Sequence, residues 1–512
     1  MIIDCFDIGA SQYPDRIFVR MEDADITYRD AEAASHAIAY ALRQIGLDGK
    51  HVGLLSPNNA HALTTIVGIV RSGATYVPLN AADSIESISQ FIEFADVAAL
   101  ICNNIYQPHV EELRRLAPSL KLIVGLTAEI EPGGSSIAAW MCEFGDKRVE
   151  KNKGLDDIAI IKSSGGTTGQ PKAIMQTHRS LEVTYRILNQ FCRPKNEPVH
   201  LIVAPITHVA GASALALAQF GTTNVIARSN EPGSLLKTLA EEGITHVFLP
   251  PTLIYRLLAH PYAVVLKLPR LECIVYGAAP MSADKLKQGL KLWGQVFVQI
   301  YGQAEVPGVI TLLSRKDHST ALEGGHSEHL QSAGRPTGAC EVVLMTDEGK
   351  VASLGERGEI VARGELVTPG YYNNPEANAQ ARAFGWHHTG DIGVFDENGY
   401  LYIVDRKKDM IISGGFNVYP SEIEQIIWSH PAVQDCAVVG VPDPDWGERV
   451  TAVIQLNEGQ QVSADEIIKD CKSRLGSIKA PKQVIFWDDL PRSAVGKVLK
   501  TEVRAKLSRT LT

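Results

Sequence analysis

The sequence predicts an α/β protein built on mostly parallel sheets, with a small α/β domain at its C-terminal end. Three observations carry that prediction. Short β-rich runs alternate with helical patterns through most of the chain, which is the sign of layered α/β architecture. A length of 512 residues exceeds what one hydrophobic core supports and implies two or more domains. Past Val342 the texture changes to short strands and glycine turns, and a distinct unit begins after Tyr400.

In chain order, His51–Leu55 reads as a strand, residues 59–70 as a helix and Thr75–Leu79 as a strand. Residues 158–161 read as a buried strand and Ala173–Thr177 as another, so a loop joins two strands there. Further β-rich runs fall at 199–203, 225–227, His246–Leu249, 271–276 and 295–300. Beyond them, Gly358-Glu359-Ile360-Val361-Ala362 is typical of the short-strand region. The last ~105 residues have the size of an independent small domain. They hold a proline-started helix, Pro420–Trp428, and strands at 433–440 and 450–456. A helix opened by the capping box Ser463-x-x-Glu466 comes next, followed by a strand at 483–487 and a basic final helix. No internal repeat or low-complexity segment interrupts this order.

Hydrophobic residues make up 45% of the chain and charged residues 21%, ordinary values for a soluble globular protein. The net charge of −9 argues against a nucleic-acid or anionic-membrane partner, so any anionic substrate must meet locally placed cations. Eight cysteines are scattered without a C-x-x-C pair or metal spacing, the pattern of reduced thiols in a cytoplasmic compartment. The N-terminal residues lack the basic start and apolar run of a signal peptide. No uninterrupted apolar stretch of about 20 residues is present, so no integral membrane segment is expected.

The loop between the two strands reads Ser163-Ser164-Gly165-Gly166-Thr167-Thr168-Gly169-Gln170-Pro171-Lys172. Glycines let the backbone approach a ligand closely, and successive N–H groups form a concavity for anions. Four hydroxyls and the Lys172 charge add to that phosphate-wrapping character. A nucleoside-triphosphatase P-loop would run from Gly-Lys-Ser/Thr straight into a helix; here proline precedes the lysine and a strand follows. The plainer alternative is a flexible Gly/Ser/Thr turn.

Other polar clusters sit at strand ends, where open α/β sheets collect their ligands. Pro205-Ile206-Thr207-His208 leads into the small residues Ala210-Gly211-Ala212. Tyr276-Gly277-Ala278-Ala279-Pro280 leaves room for a flat ring, and Tyr301-Gly302-Gln303-Ala304-Glu305 follows the next strand with an aromatic ring and a carboxylate. Glu305 has the oxygen donors a Mg²⁺ ion prefers. Each cluster also has a plain reading: a structural histidine, a strand-to-helix turn, a solvated glutamate. Their convergence on one sheet edge favours a site. Trp386-His387-His388-Thr389-Gly390-Asp391 offers an aspartate after a tight glycine turn, suited to both hydroxyls of a ribose. Arg406-Lys407-Lys408-Asp409 reads as a charged turn leading to Ser413-Gly414-Gly415, and Lys497 as a lysine on a glycine-containing loop.

Seven segments stand in one order: SSGGTTGQPKA, PITHVAG, YGAAP, YGQAE, WHHTGD, VDRKKDMIISGGFNVYPSEIE and PRSAVGKVLK. Together they resemble the adenylate-forming (AMP-binding) superfamily, specifically its acyl/aryl-CoA ligases, from about Ile26 to Lys497. The resemblance implies a large N-terminal adenylation domain over residues 1–405, with layered α/β/α/β/α sheets and a small β-barrel-like part. A small mobile C-terminal α+β domain would follow over 406–512, hinged near Lys408. The substrates implied are a small-molecule carboxylic acid, ATP and CoA, with Mg²⁺ as cofactor, and a homodimer is compatible with the resemblance.

The resemblance also implies roles for residues. Ser164, Gly165, Gly166, Thr167, Thr168, Gly169 and Lys172 would hold the β- and γ-phosphates of ATP. Gly277, Ala278, Ala279, Tyr301 and Gly302 would border the adenine, and Asp391 and Arg406 the ribose. Glu305 matches the glutamate associated with Mg²⁺, Lys497 the catalytic lysine of adenylation, and Lys408 the hinge. His208 matches the position near the acid carboxylate; Ala210, Gly211, Gly302, Pro307 and Gly308 would line the acid pocket. Gly414 and Gly415 would line the CoA tunnel once the small domain has turned. Gly165, Ala173 and Ala304 depart from the usual pattern, and Ala304 removes a hydroxyl worth about 0.5–1.5 kcal/mol.

The stretch His208 to Ala214 lacks the aspartate that would pair an α-amino group, and small residues there predict a roomy apolar pocket for an aromatic, alicyclic or medium- to long-chain fatty acid. Three alternatives stay open on sequence: a ligase loading a carrier protein, a luciferase-like oxygenase, and a non-catalytic nucleotide sensor.

Overall fold

Apolar runs and polar breaks sort the chain into four sheets, and the two largest face each other across the main core. The computed structural model describes residues 1–22, 24–163, 172–492 and 498–510. The nine-stranded sheet has six parallel strands at its centre, from Phe297–Gln303 through Cys273–Gly277, His246–Leu249, Val199–Ile202 and Thr223–Ile226 to Ile17–Met21. Antiparallel strands finish both of its edges. The eight-stranded sheet is parallel over Ile158–Ser163, Thr75–Leu79, His51–Leu55, Val97–Cys102 and Leu122–Gly125. Ala173–Thr177 and Gly370–Tyr371 extend it antiparallel.

The main core takes Val52, Leu54 and Ile101 from one sheet and Val19, Ile202 and Ile226 from the other. Ile38 and Leu42 of the helix Tyr28–Gln44 and Leu63 and Val67 of the helix Ala60–Ser72 fill the space between them. Burying each such aliphatic side chain contributes about 1.5–3 kcal/mol. The helix Ala60–Ser72 starts where the Asn59 side chain accepts the His61 amide at 2.9 Å, satisfying one of the unpaired N–H groups of its first turn.

A four-stranded antiparallel sheet follows: Glu341–Met345, Gly358–Arg363, His387–Phe395 and Leu401–Arg406. Arg406 is the last residue of this sheet, one residue past the boundary expected from sequence. A single turn, Lys407–Asp409, then leads to the strand Ile411–Ser413 of the last sheet. There, Val433–Asp443 and Gly447–Leu456 pair antiparallel, with the helices Pro420–Trp428 and Ala464–Lys479 against one face and Lys500–Thr510 against the other. Glu424 and Lys500 form a buried ion pair of 2.8 Å that fastens the last helix to the domain.

Three local expectations differ from the structure. Tyr301 and Gly302 lie within the strand Phe297–Gln303 rather than after it, because pairing with Val306–Leu313 continues up to the hairpin. Asp391 follows a bulge, not a turn: Gly390, at φ +72°, sits inside the strand His387–Phe395, whose pairing shifts register between Glu359 and Val361. The capping box forms only by half. Ser463 accepts the Glu466 amide at 3.2 Å, while the Glu466 carboxylate lies 3.6 Å from His430. Among the described residues, no helix is long and apolar enough to cross a membrane.

Candidate active site

Two antiparallel strands place an acid and a base side by side: Asp391 and Arg406 are direct partners in register. The buried Asp391 carboxylate has a partner on each oxygen. The Tyr301 hydroxyl donates to Oδ2 at 2.8 Å, and Arg406 Nε lies 3.1 Å from Oδ1. Burial, reinforced by the Asp391 charge, holds the Tyr301 phenol well above its ordinary pKa, so it remains a donor. The carboxylate is therefore fixed in place, with lone pairs left to accept further hydroxyl donors. Ala278, exposed just past the strand Cys273–Gly277, takes a left-handed conformation at φ +64°. Ala279 beside it is half-buried.

Glu305 stands at the next strand end. The Tyr371 hydroxyl donates to its Oε1 at 2.8 Å, and Lys172 Nζ lies 5.1 Å from the centre of the Tyr371 ring, within cation–π range. Gln176 Nε2 donates to the Ala304 carbonyl at 2.8 Å, so the Ala304–Glu305 segment is tied to the eight-stranded sheet from two sides. Lys162, half-buried at the end of Ile158–Ser163, is close enough for its charge to act on both Glu305 and His208. Burial pulls the Lys162 pKa down, and Glu305 opposes it. His208 begins the helix Val209–Leu217, with Nδ1 3.0 Å from the Thr207 hydroxyl. Burial, followed by the Lys162 charge, pushes His208 down to about 3, so its ring is neutral near pH 7.

From the sequence-derived set, the structure joins Tyr301, Asp391 and Arg406 in one cluster and sets Glu305 and Lys172 on either side of Tyr371, while His208 is linked to Glu305 only through the charge of Lys162. Ser164, Gly165, Gly166, Thr167, Thr168, Gly169 and Lys497 lie outside the described residues. The small residues expected to give the acid room have other duties. Ala210 is 1% exposed in the main core, and a Cβ on Gly211 would fall 1.9 Å from the Ile206 carbonyl. A Cβ on Gly302 would meet the Gly308 backbone at 2.7 Å, so these glycines let two strands approach. Pro307 is buried and its carbonyl accepts the Thr184 hydroxyl at 2.8 Å.

Gly414 and Gly415 form the turn between Ile411–Ser413 and Phe416–Val418, with φ +57° and +81°, as a tight hairpin requires. That turn is exposed, as is Lys408. Sequence reasoning missed Tyr371, Gln176 and Lys162. The only signal for Lys162 was a single charge at the end of an apolar run, which reads equally as a solvated strand end.

A cleft of about 950 Å³ opens between the ends of His51–Leu55 and Val199–Ile202 and the small domain, lined by Asn58, Thr207, Arg228, Arg256, Asp435 and Arg492. It borders His208 through Thr207 but does not include Asp391 or Glu305. His326, Glu328 and His329 carry ligand atoms within 4.8 Å of one another. They lie by the hairpin turn after Phe395, where His329 stacks on Tyr400 at 4.1 Å and faces Asp396 at 3.4 Å. Asp396 is five residues beyond Asp391, some 16 Å along an extended strand.

A buried carboxylate held by a tyrosine and an arginine, with lone pairs left over, is a group that can accept a pair of hydroxyl donors. The chain belongs to the AMP-binding enzyme family: that family's model matches residues 6–372, and the model for the AMP-binding enzyme C-terminal domain matches 422–497. The chain is 34% identical over 505 residues to the feruloyl-CoA synthase of Amycolatopsis sp, covering 97% of each. It is 32% identical over 499 residues to the long-chain-fatty-acid–CoA ligase FadD13 of Mycobacterium tuberculosis, covering 96% of this chain and 94% of that one. The solved anthranilate CoA ligase AuaEII, in complex with anthranoyl-AMP, superposes with a TM-score of 0.89 at 25% identity, covering 99% of this chain and 98% of that one.

Proposed function

We propose that the protein joins a bulky apolar carboxylic acid, aromatic, alicyclic or medium- to long-chain fatty, to CoA, converting ATP to AMP and pyrophosphate through an acyl-adenylate. The observation that carries this reading is the Asp391 carboxylate, held by Tyr301 and Arg406, in a chain alike over its whole length to CoA ligases of aryl and fatty acids.

In the first step a carboxylate oxygen of the acid attacks the α-phosphorus of ATP, and the bond to pyrophosphate breaks. Two anions meet, so positive charge must stand where negative charge builds up. Lys497 has that role in this reading. The stem of its loop is fixed: Arg492 and Val498 form a β-bridge, and Arg492 is held by the buried Asp435 at 2.7 Å. Asp391 accepts the ribose hydroxyls, the exposed Ala278 leaves a surface for the adenine, and the 164–169 loop with Lys172 takes the phosphates.

Glu305 fits a Mg²⁺ ion: Tyr371 donates to Oε1, and the second oxygen, which no described residue takes, suits a hard cation that keeps waters and phosphate oxygens as its other ligands. When bound, that ion neutralises phosphate charge. His208, neutral, shapes the acid end without adding charge.

In the second step the thiol sulfur of CoA attacks the acyl carbon, AMP departs with the bonding electrons, and the thiol proton passes to solvent. A rotation of residues 406–512 about Lys408 would withdraw Lys497 and bring in the exposed Gly414–Gly415 turn. A turn of few residues between two sheets is what such a hinge needs.

The test is product analysis with ATP, Mg²⁺ and CoA over a panel of cinnamic, benzoic, alicyclic and fatty acids. Equal amounts of acyl-CoA and AMP from at least one acid are expected. AMP released without thioester would move the activity to another acceptor, and no product with any acid would overturn the reading.

A further inference from the structure

Lys162 ends a strand that is otherwise apolar, Ile158-Ala159-Ile160-Ile161, and register decides where it points. Ile160 and Lys162 share a face of the strand, and Ile160 packs against the main core between the two large sheets. Across the sheet, Lys162 is opposite Ile174, and Ile174 is opposite Tyr371; residues paired in register present their side chains to one face. Ile160 is likewise opposite Gln176. The face that carries Lys162 therefore also carries Tyr371 and Gln176, the two residues that hold Glu305 and the Ala304 carbonyl. Ala304 packs on Ile174 and Tyr371 of that same face.

Lys162 thus shares the face from which Tyr371 holds Glu305, and its charge acts on both Glu305 and His208. It is half-buried, and no described residue gives its ammonium a hydrogen bond or an ion pair. A partly buried ammonium without a counterion is costly. The surrounding groups do not relieve it. His208 is neutral, Lys172 is engaged with the Tyr371 ring, and Glu305 acts on it only from a distance. An anion entering the gap beside it would supply the partner that no described residue gives.

We propose that Lys162 binds the reacting carboxylate of the acid substrate and holds it, beside His208, for attack on the α-phosphorus. This assignment rests on the ligase reading above. The other anion within the same gap would be a nucleotide phosphate, and the experiment separates the two. Once the acyl-adenylate has formed, the acid no longer carries a free carboxylate, so Lys162 serves the first step and not the second.

The test compares wild type with Lys162→Met and Lys162→Arg, using the best acid of the panel. In Lys162→Met the acid KM should rise about 10- to 100-fold, the scale of a lost charge-assisted hydrogen bond, while the ATP KM stays put. Thiolysis of supplied acyl-adenylate should proceed at the wild-type rate, which also shows that the variant is folded. Lys162→Arg should recover part of the acid affinity. Calorimetry should find that the acid's primary amide, which has no charge, binds both proteins alike. A rise in the ATP KM alone would assign the ammonium to phosphate and overturn the proposal. Unchanged acid KM in Lys162→Met would overturn it while leaving the ligase reading intact; a wild type that binds and turns over no acid would take down both.

Discussion

In the proposed nucleotide half of the site, the described carboxylates are held before any ligand arrives. Asp391 has Tyr301 on one oxygen and Arg406 on the other, and Glu305 is held by Tyr371. The proposed acid half is built differently: His208 is a neutral ring, and Lys162 is a half-buried cation without a described partner. The contrast follows the chemistry. Every turnover brings the same nucleotide, so its receptor gains from being rigid and self-satisfied. The acid brings a charge that must be neutralised only until it is joined to AMP as a mixed anhydride, and on the proposed assignment a cation without an internal partner is reserved for the substrate. Preorganisation on one side and an unfilled charge on the other make a division of labour that mutation can break.

The largest break should come from Lys497→Ala. If this lysine supplies the transition-state charge of the first step, adenylation should fall about 100- to 1,000-fold, while thiolysis of supplied acyl-adenylate is spared. Equal loss in both partial reactions would contradict its place in the first step alone. Asp391→Ala should damage the nucleotide half by itself. It leaves Arg406 and Tyr301 without their acceptor, and the ATP KM should rise about 10- to 100-fold, with the acid KM unchanged in steady-state kinetics. A matching rise in the acid KM would show that the halves are not independent. Tyr371→Phe removes one hydrogen bond from Glu305 and should cost about three- to tenfold in kcat/KM for ATP.

Much of the architecture was legible because hydrophobic period and turn residues speak locally. His51–Leu55, Thr75–Leu79 and Pro420–Trp428 were read with the bounds they have. Asp391 was singled out, yet its setting was misread, since a glycine at positive φ inside a strand looks like a turn in one dimension. The clamp itself joins residues 90 positions apart, Tyr301 and Asp391, and only strand order brings them together. Lys162 was harder still. Its meaning depends on register through three strands, Lys162 to Ile174 to Tyr371, and nothing in the local sequence encodes that row. Ala210 and Gly211 show how small residues carry two readings: they suggest a roomy pocket in sequence, and in the fold they also make room for the packed core and for the Ile206 carbonyl.

Two smaller effects sharpen the comparison. Ala278 sits at φ +64° in the nucleotide half, where a Cβ is penalised. Ala278→Gly should raise stability by at most about 1 kcal/mol, because the relief of strain is partly offset by a more flexible unfolded chain; denaturant midpoints would measure it. In the acid half, the His208 pKa lies near 3, depressed from 6.5. The folded ring stays neutral while the unfolded ring takes up a proton as pH falls below 6.5, so His208 favours folding above that pH and progressively opposes it down to about 3. For binding, the same value predicts an acid KM with no imidazole titration near pH 6.5. A break there that His208→Gln removes would move the acid's charge partner from Lys162 to His208.

The central claim, that an acid is activated as its adenylate before any thiol is involved, is tested most directly by exchange of labelled pyrophosphate into ATP in the absence of CoA. Exchange should require both Mg²⁺ and a carboxylic acid, and should fall about 100- to 1,000-fold in Lys497→Ala. Exchange without any acid, or thioester formation from an acid that supports no exchange, would contradict it.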